Sequence, residues 1–323
     1  MRIAASGLGP LTVGRGPRRK SAVWYARVMI PGVGLVLEGG GMRTTYTGGV
    51  LDAFMDAGVD LGYVIGVSAG ANAGSHYVAG QRERSHRVFV DLVADPRYAG
   101  WRNVVRERSW FGMDFLFRTL PDELAPFDYE GFRASPRTLV SGVTDCGMGT
   151  ARYFAQHDRD PRWYVQTLLR ATCSLPVLSP PVAVEGRPCL DGGVSDSIPI
   201  RRAVDDGNRR NVVVLTRNAG YRKPPPRLRG PGRILLARYP AVYAAMLRRP
   251  AVYNASLQLV ERMERAGSAF VLRPVRPLEV DRMERDLVRL EALYRQGYVE
   301  TMERMADLEA WLRGSWPREP ALG

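Results

Sequence analysis

Three histidines, His76, His86 and His157, are all that 323 residues supply. Any hydrolytic site must recruit one of them or work without imidazole. Cysteine is as scarce. Cys146, Cys173 and Cys189 are odd in number, widely spaced and without a C-x-x-C, which argues against a disulfide frame or a cysteine zinc site. They read as buried thiols in a reducing compartment, so the expected location is cytoplasmic. No run approaches the roughly 18–20 apolar residues of a membrane span, which argues against an integral membrane protein. Acid is missing from one end: Arg2, Arg15, Arg18, Arg19, Lys20 and Arg27 precede Glu38 without a single Asp or Glu, and supply six of the net +13 charges. No zinc-finger or RNA-binding signature accompanies that charge, so no nucleic-acid partner is expected.

Two readings of the basic segment stay open. It is a solvated tail or a non-native extension, with Met29 as the true start, or it is drawn to anionic lipid head groups at about 1 kcal/mol per basic residue. The second adds peripheral contact with an anionic membrane, at its inner face. A secretory signal is not convincing, because Arg27 interrupts the apolar stretch 22–30.

What is present is an ordinary apolar fraction of 45%, ample for a core, and an alternation of apolar runs with helical patterns. Residues 33–37 read as a buried strand, 46–57 as a helix with Val50, Leu51 and Phe54 on one face, and Gly58 as its C-cap. Residues 63–65 make a second strand, after which a helix of very small residues opens at Ser68. Gly within a helix costs about 1 kcal/mol against Ala, so these glycines predict a helix pressed close to a sheet. Residues 81–135 are less regular. Their aromatic-rich stretch 110–120 serves either as core of a helical layer or as the wall of an acyl-chain pocket or lipid-facing lid. Strands are expected at 138–143, 151–154 and 211–216, a hairpin around 182–190, and a helix at 163–171. Residues 222–231 read as a solvated Pro/Arg-rich loop. Beyond it, 233–267 and 281–314 are charged amphipathic helical patterns around one apolar stretch, 269–272. In the second of them Met283, Leu287, Leu290 and Leu293 keep three-to-four spacing.

Two glycine turns carry the chemistry. Gly66-Val67-Ser68-Ala69-Gly70 has the G-x-S-x-G form, in which a serine is exposed on a sharp bend between strand and helix. Gly39-Gly40-Gly41-Met42-Arg43 offers backbone N–H groups at a helix start, suited to developing negative charge. Ser68 needs a base. His76 lies about 12 Å down the same helix by its 1.5 Å rise. His86 sits in an arginine-rich run and His157 in a polar turn. A carboxylate acting directly is the remaining candidate. Asp191, before Gly192 and Gly193, is the best placed, although Asp-Gly equally suits a β-turn.

Taken in order, Gly39-Gly40-Gly41-Met42-Arg43, Gly66-Val67-Ser68-Ala69-Gly70, the loop from Ala171-Thr172-Cys173-Ser174-Leu175-Pro176 to Pro180-Pro181, and Asp191-Gly192-Gly193 resemble the patatin-like phospholipase family. The form Leu37-Glu38-Gly39-Gly40-Gly41-Met42-Arg43 with a helical tail looks like its bacterial branch. The resemblance implies a three-layer α/β/α fold with a mainly parallel sheet and a C-terminal helical extension. It implies a dyad in which Ser68 is the nucleophile and Asp191 the proton acceptor. The oxyanion hole would come from the backbone at Gly39, Gly40 and Gly41, with Arg43 adding positive charge. Neither cofactor nor metal is required. The expected activity is hydrolysis of fatty-acyl esters of lipids or phospholipids. Thr44 stands where the family's last glycine of the first block falls, which alters the helix entry more than the earlier N–H groups.

The expected organisation is a basic extension at 1–30, a catalytic domain at 31–221, and a loop and helical region packed on it at 222–323. Three other functions compete. A Ser-His-Asp hydrolase needs a better placed histidine. A phosphate- or nucleotide-binding module needs a glycine where Thr44 stands and an acid after the next strand, where Asp60 comes too early. A silent interaction protein has no need of Ser68 and Asp191.

Overall fold

The computed structural model describes residues 30–226, 234 and 236–314. Almost all of the expected basic extension, and the Pro/Arg-rich loop from 227 to 231, lie outside the described residues. Among those described, no helix is long and apolar enough to cross a membrane.

One mostly parallel sheet organises the chain. Its strands are β1 (Val33–Leu37), β2 (Tyr63–Val67), β3 (Thr138–Asp145), β4 (Ala151–Ala155), β5 (Val182–Val184), β6 (Arg187–Asp191), β7 (Arg210–Val214) and β8 (Ala269–Leu272). The spatial order is β5-β6-β3-β2-β1-β7-β8, with β4 also paired to β3. β1 is buried at all five positions, as an inner parallel strand covered on both faces must be. Side chains alternate across it: Val33, Leu35 and Leu37 face one core and Val36 the other. Helices α1 (Thr45–Ala57) and α2 (Ala69–Val78) cover the first face. Helix α3 (Pro240–Arg265), through Tyr253, Leu257 and Val260, packs with Ile200 and Ala203 on the second. Helices α4 (Leu287–Glu303) and α5 (Met305–Arg313) join the first core through Leu290, Leu293 and Leu308. This is the expected α/β/α fold with helices added after it. The apolar stretch 269–272 is β8, parallel to β7 at the sheet edge.

One expectation about the helices needs correction. The single helical pattern over 281–314 divides, because Asp286 caps α4 by accepting from the N–H groups of Val288 and Arg289, and the helix ends at Glu303 before α5 begins. Met283 therefore lies outside the helix, and it and Leu287 are exposed while Leu290 and Leu293 are buried. Close approach through small residues is not confined to α2. Gly49 of α1 meets α4 backbone-to-backbone at Tyr294, and Gly297 of α4 in turn faces the carbonyl of Tyr46 so closely that a Cβ has no room. Gly297→Val is expected to lower stability by ~1–3 kcal/mol, read as an earlier urea midpoint. An unchanged midpoint contradicts this packing.

The sheet brings the two chemical ends together. β3 has two edges, and β4 occupies one of them from Val140 to Thr144. On the other edge β2 pairs up to Val67↔Gly142, and β6 takes over at Val143↔Asp191, running the opposite way. The last residue of β6 thus meets the residue that comes directly after β2.

Candidate active site

Ser68 is that residue. Its backbone sits at φ 54°, ψ −137°, a region that costs a non-glycine residue about 1–3 kcal/mol. The surroundings impose it. The Ser68 N–H donates to Thr172 Oγ1 at 2.8 Å, and the Thr172 hydroxyl donates onward to the Gly142 carbonyl. The first turn of α2 is clamped against β1: a Cβ on Gly70 would stand 2.6 Å from the Glu38 carbonyl oxygen. Small residues at the start of α2 are what let the helix approach so closely.

The Ser68 hydroxyl donates to Asp191 Oδ2 at 2.7 Å. The Gly193 N–H donates to Oδ1 at 2.7 Å, so both carboxylate oxygens are held. Asp191 is 2% exposed. Burial raises its carboxyl above the ordinary range, while the Ser68 hydroxyl, the Arg249 charge, the Gly193 N–H and the Arg282 charge pull it back down. The Ser68–Asp191 pair is thus a hydroxyl and a desolvated carboxylate in direct contact.

None of the three histidines lies near it. His76 is buried, pairs through Nδ1 with Ser85 Oγ at 2.9 Å, and is held neutral by burial and by Arg84. His86 pairs with Glu291 on α4. His157 is exposed in the turn after β4.

The glycine row lies against the same site but not as a uniform set of donors. The Gly39 N–H, expected among them, donates instead to the Ser197 carbonyl at 3.1 Å. Among the described residues no acceptor is paired with the N–H groups of Gly40 or Gly41. Gly41 takes φ +59°, and its Cβ would stand 2.6 Å from the Arg282 carbonyl oxygen, which accepts the Met42 N–H at 3.2 Å. Only glycine fits that position. Arg43 is 5% exposed, and burial with the charge of Arg217 lowers it to about 10, so it remains cationic at neutral pH. It is not a cavity-lining residue; the arginines that line the cavity are Arg249 on α3 and Arg282.

That cavity, about 820 Å³ out to its open mouth, holds Ser68, Asp191 and Gly39 to Gly41 at one end. Its remaining walls are largely apolar, including Phe89, Tyr98, Phe111, Met113, Leu116 and Phe117. The stretch 110–120 is divided: Phe115 and Leu120 are buried in the core, and Phe111, Met113, Leu116 and Phe117 line the cavity. The parts played by Thr172, Arg249 and Arg282 are not visible in the sequence. Thr172 stands out there only as a member of its loop block, and the two arginines lie in charged stretches that resemble any solvated helix face.

The profile of the patatin-like phospholipase family matches residues 35–204, and that of a domain of unknown function (DUF6363) matches residues 239–313. Uncharacterized protein YjjU of Escherichia coli (strain K12) is 28% identical over 195 residues, which are 57% of this chain and 52% of that protein. The crystal structure of VipD from Legionella pneumophila matches with a TM-score of 0.48 and 13% identity, over 85% of this chain and 66% of that one. The chain thus spans about half the length of the curated relative and under two thirds of the solved one. A family match that covers more than half of the chain, with its motif residues gathered at one end of one cavity, establishes that the chain belongs to the patatin-like phospholipase family.

Proposed function

We propose that the protein is a serine acyl-hydrolase that cleaves fatty-acyl esters of lipids through a Ser68–Asp191 dyad. The observation that carries this reading is the 2.7 Å hydrogen bond from Ser68 Oγ to Asp191 Oδ2 at the polar end of an apolar cavity. Ser68 Oγ attacks the ester carbonyl carbon as its proton passes to Asp191. Negative charge grows on the carbonyl oxygen, where the N–H groups of Gly40 and Gly41 and the start of α2 stabilise it. The tetrahedral adduct collapses, the ester C–O bond breaks, and the alcohol leaves with the proton from Asp191. Water then attacks the acyl-Ser68 carbonyl, giving its proton to Asp191. Collapse returns that proton to Ser68 and frees the fatty acid. The acyl chain lies along the aromatic wall, where burying each methylene contributes about 0.8 kcal/mol.

In this reading residues 31–221 are the catalytic unit, and the described part of 222–323 packs on it and adds Arg249 and Arg282 to the cavity wall. The Gly39 N–H is left out of the oxyanion hole, and Arg43 acts through its field and not by contact.

A dyad and a Ser-His-Asp triad separate cleanly by substitution. His76→Phe, His86→Gln and His157→Ala are each expected to keep kcat/KM for a nitrophenyl ester within about threefold, because none adjoins Ser68. Loss of two or more orders of magnitude in any one of them, with the far-UV spectrum unchanged, would favour the triad.

A further inference from the structure

Five basic residues, Arg43, Arg217, Lys223, Arg249 and Arg282, are linked through their charges, and two of them reach the cavity that holds the dyad. Arg249 and Arg282 share the cavity wall with Ser68 and Asp191. Arg43 lies in the field of Arg217 and Arg282, and Lys223 in that of Arg249, Arg282 and Arg43. None of the five is in an ion pair among the described residues, whereas Arg82, Arg137, Arg170 and Arg187 each have a carboxylate. Glu38 and Asp191 stand within the field of Arg43, Lys223 and Arg249, and both are already engaged. Glu38 accepts from the Tyr253 hydroxyl at 2.7 Å and from the Thr216 N–H at 2.6 Å, and Asp191 holds Ser68 and Gly193.

Assembling like charges with so little compensation opposes folding unless something else is gained. Arg43 sharpens the point: it is only 5% exposed, and its Nε is buried without a hydrogen-bond partner. Burial and the neighbouring Arg249, with Arg282 and Arg43, push the Lys223 ammonium down to about 7 despite Glu38. The Lys223 ammonium rests 4.3 Å from the centre of the Tyr253 ring, and the Arg217 guanidinium 4.5 Å from that of Tyr221. Aromatic faces thus orient two cations that have no counter-ion.

We infer that this cluster binds a phosphate group carried by the ester substrate, so that the preferred substrate is an acylglycerol phosphate. The inference rests on the hydrolase reading above. Two guanidiniums on one cavity wall suit phosphate, whose oxygens accept forked, charge-assisted hydrogen bonds. The same substrate places its acyl chain on the apolar wall and its ester at Ser68. All of the cations except Arg43 come from beyond residues 35–204, so the region after the family match sets the head-group preference.

The test reads binding and turnover separately. Ser68→Ala protein is titrated calorimetrically with 1-lauroylglycerol 3-phosphate below its micellar concentration, with uncharged 1-lauroylglycerol, and with inorganic phosphate. The phosphate lipid is expected to bind about tenfold tighter or more than the uncharged lipid, a difference of about 1.4 kcal/mol or more. Adding Arg282→Gln and Lys223→Met to Ser68→Ala should remove most of that difference. Equal binding of the two lipids, or a difference that survives the double change, overturns the proposal. Inorganic phosphate binding as tightly as the phosphate lipid also overturns it, and assigns the cluster to the free anion. In the wild-type protein the phosphate ester should show the higher kcat/KM. Hydrolysis of both esters at equal kcat/KM refutes the phosphate site alone. Tight binding of the phosphate lipid with no hydrolysis of either ester refutes the hydrolase reading and leaves the phosphate site standing.

Discussion

Asp191→Asn is expected to lower kcat for a short-chain nitrophenyl ester by about 10²–10⁴-fold, the usual contribution of a positioned general base. Ser68→Ala is expected to remove the acyl-enzyme route entirely. The amide keeps the size of the carboxylate and the Gly193 N–H bond, so the fold should stay intact while the proton acceptor is lost. In the proposed mechanism both residues act in one step, so Ser68→Ala/Asp191→Asn should be scarcely worse than the more damaging single change. Full additivity would contradict a shared role. The pH profile derives from the same carboxylate. Asp191 must be ionised to take the proton, so activity falls as pH drops through its carboxyl pKa. Burial raises that pKa above the ordinary carboxylate range, and the acid limb of kcat/KM should lie correspondingly high. Arg249 opposes the rise, so Arg249→Met should move the limb to still higher pH. An acid limb at or below about pH 4, the value of a solvated carboxylate, would contradict the assignment of Asp191 as base.

The second large effect is expected at Gly41. A methyl group there would stand 2.6 Å from the Arg282 carbonyl oxygen, on a backbone at φ +59° that alanine resists. Gly41→Ala must therefore shift the turn that carries the Gly40 and Gly41 N–H groups. Loss of one oxyanion donor typically costs about 10²–10³-fold in kcat, with KM moved little because the ground-state carbonyl needs the donors less. Gly32 also takes a positive φ, at +72°, but has open space around it, so Gly32→Ala controls for backbone strain alone. A rise in KM with kcat preserved would mean that the turn holds substrate and not the transition state.

The proposed nucleophile stands out in the sequence because its signals are local. Strand, bend and small-residue helix all fall in the short stretch from Tyr63 to Val78, and so tight a bend demands small residues after it. Asp191 was legible only by resemblance, since Asp-Gly-Gly alone also describes a turn. The structure adds the reason for its place: β6 runs antiparallel into the edge of β3 that β2 vacates after Val67. Thr172 could not be read from sequence, because its bond to the Ser68 N–H joins positions 104 residues apart. Arg249 and Arg282 were hidden for a related reason. A charged stretch shows its period in sequence, but not which arginine of a helix, as Arg249 of α3, or of the turn before one, as Arg282, faces a distant cavity. The break between α4 and α5 was missed because leucine spacing continues across a gap that the Asp286 cap and the end at Glu303 define.

The central claim is that Ser68 is a nucleophile activated by Asp191. Incubation with a fluorophosphonate probe and subsequent peptide mapping addresses this most directly. The predicted result is one adduct per chain, on the peptide carrying Ser68, absent in Ser68→Ala and formed far more slowly in Asp191→Asn. Labelling at another serine, or labelling of Ser68 at an unchanged rate in Asp191→Asn, would contradict it.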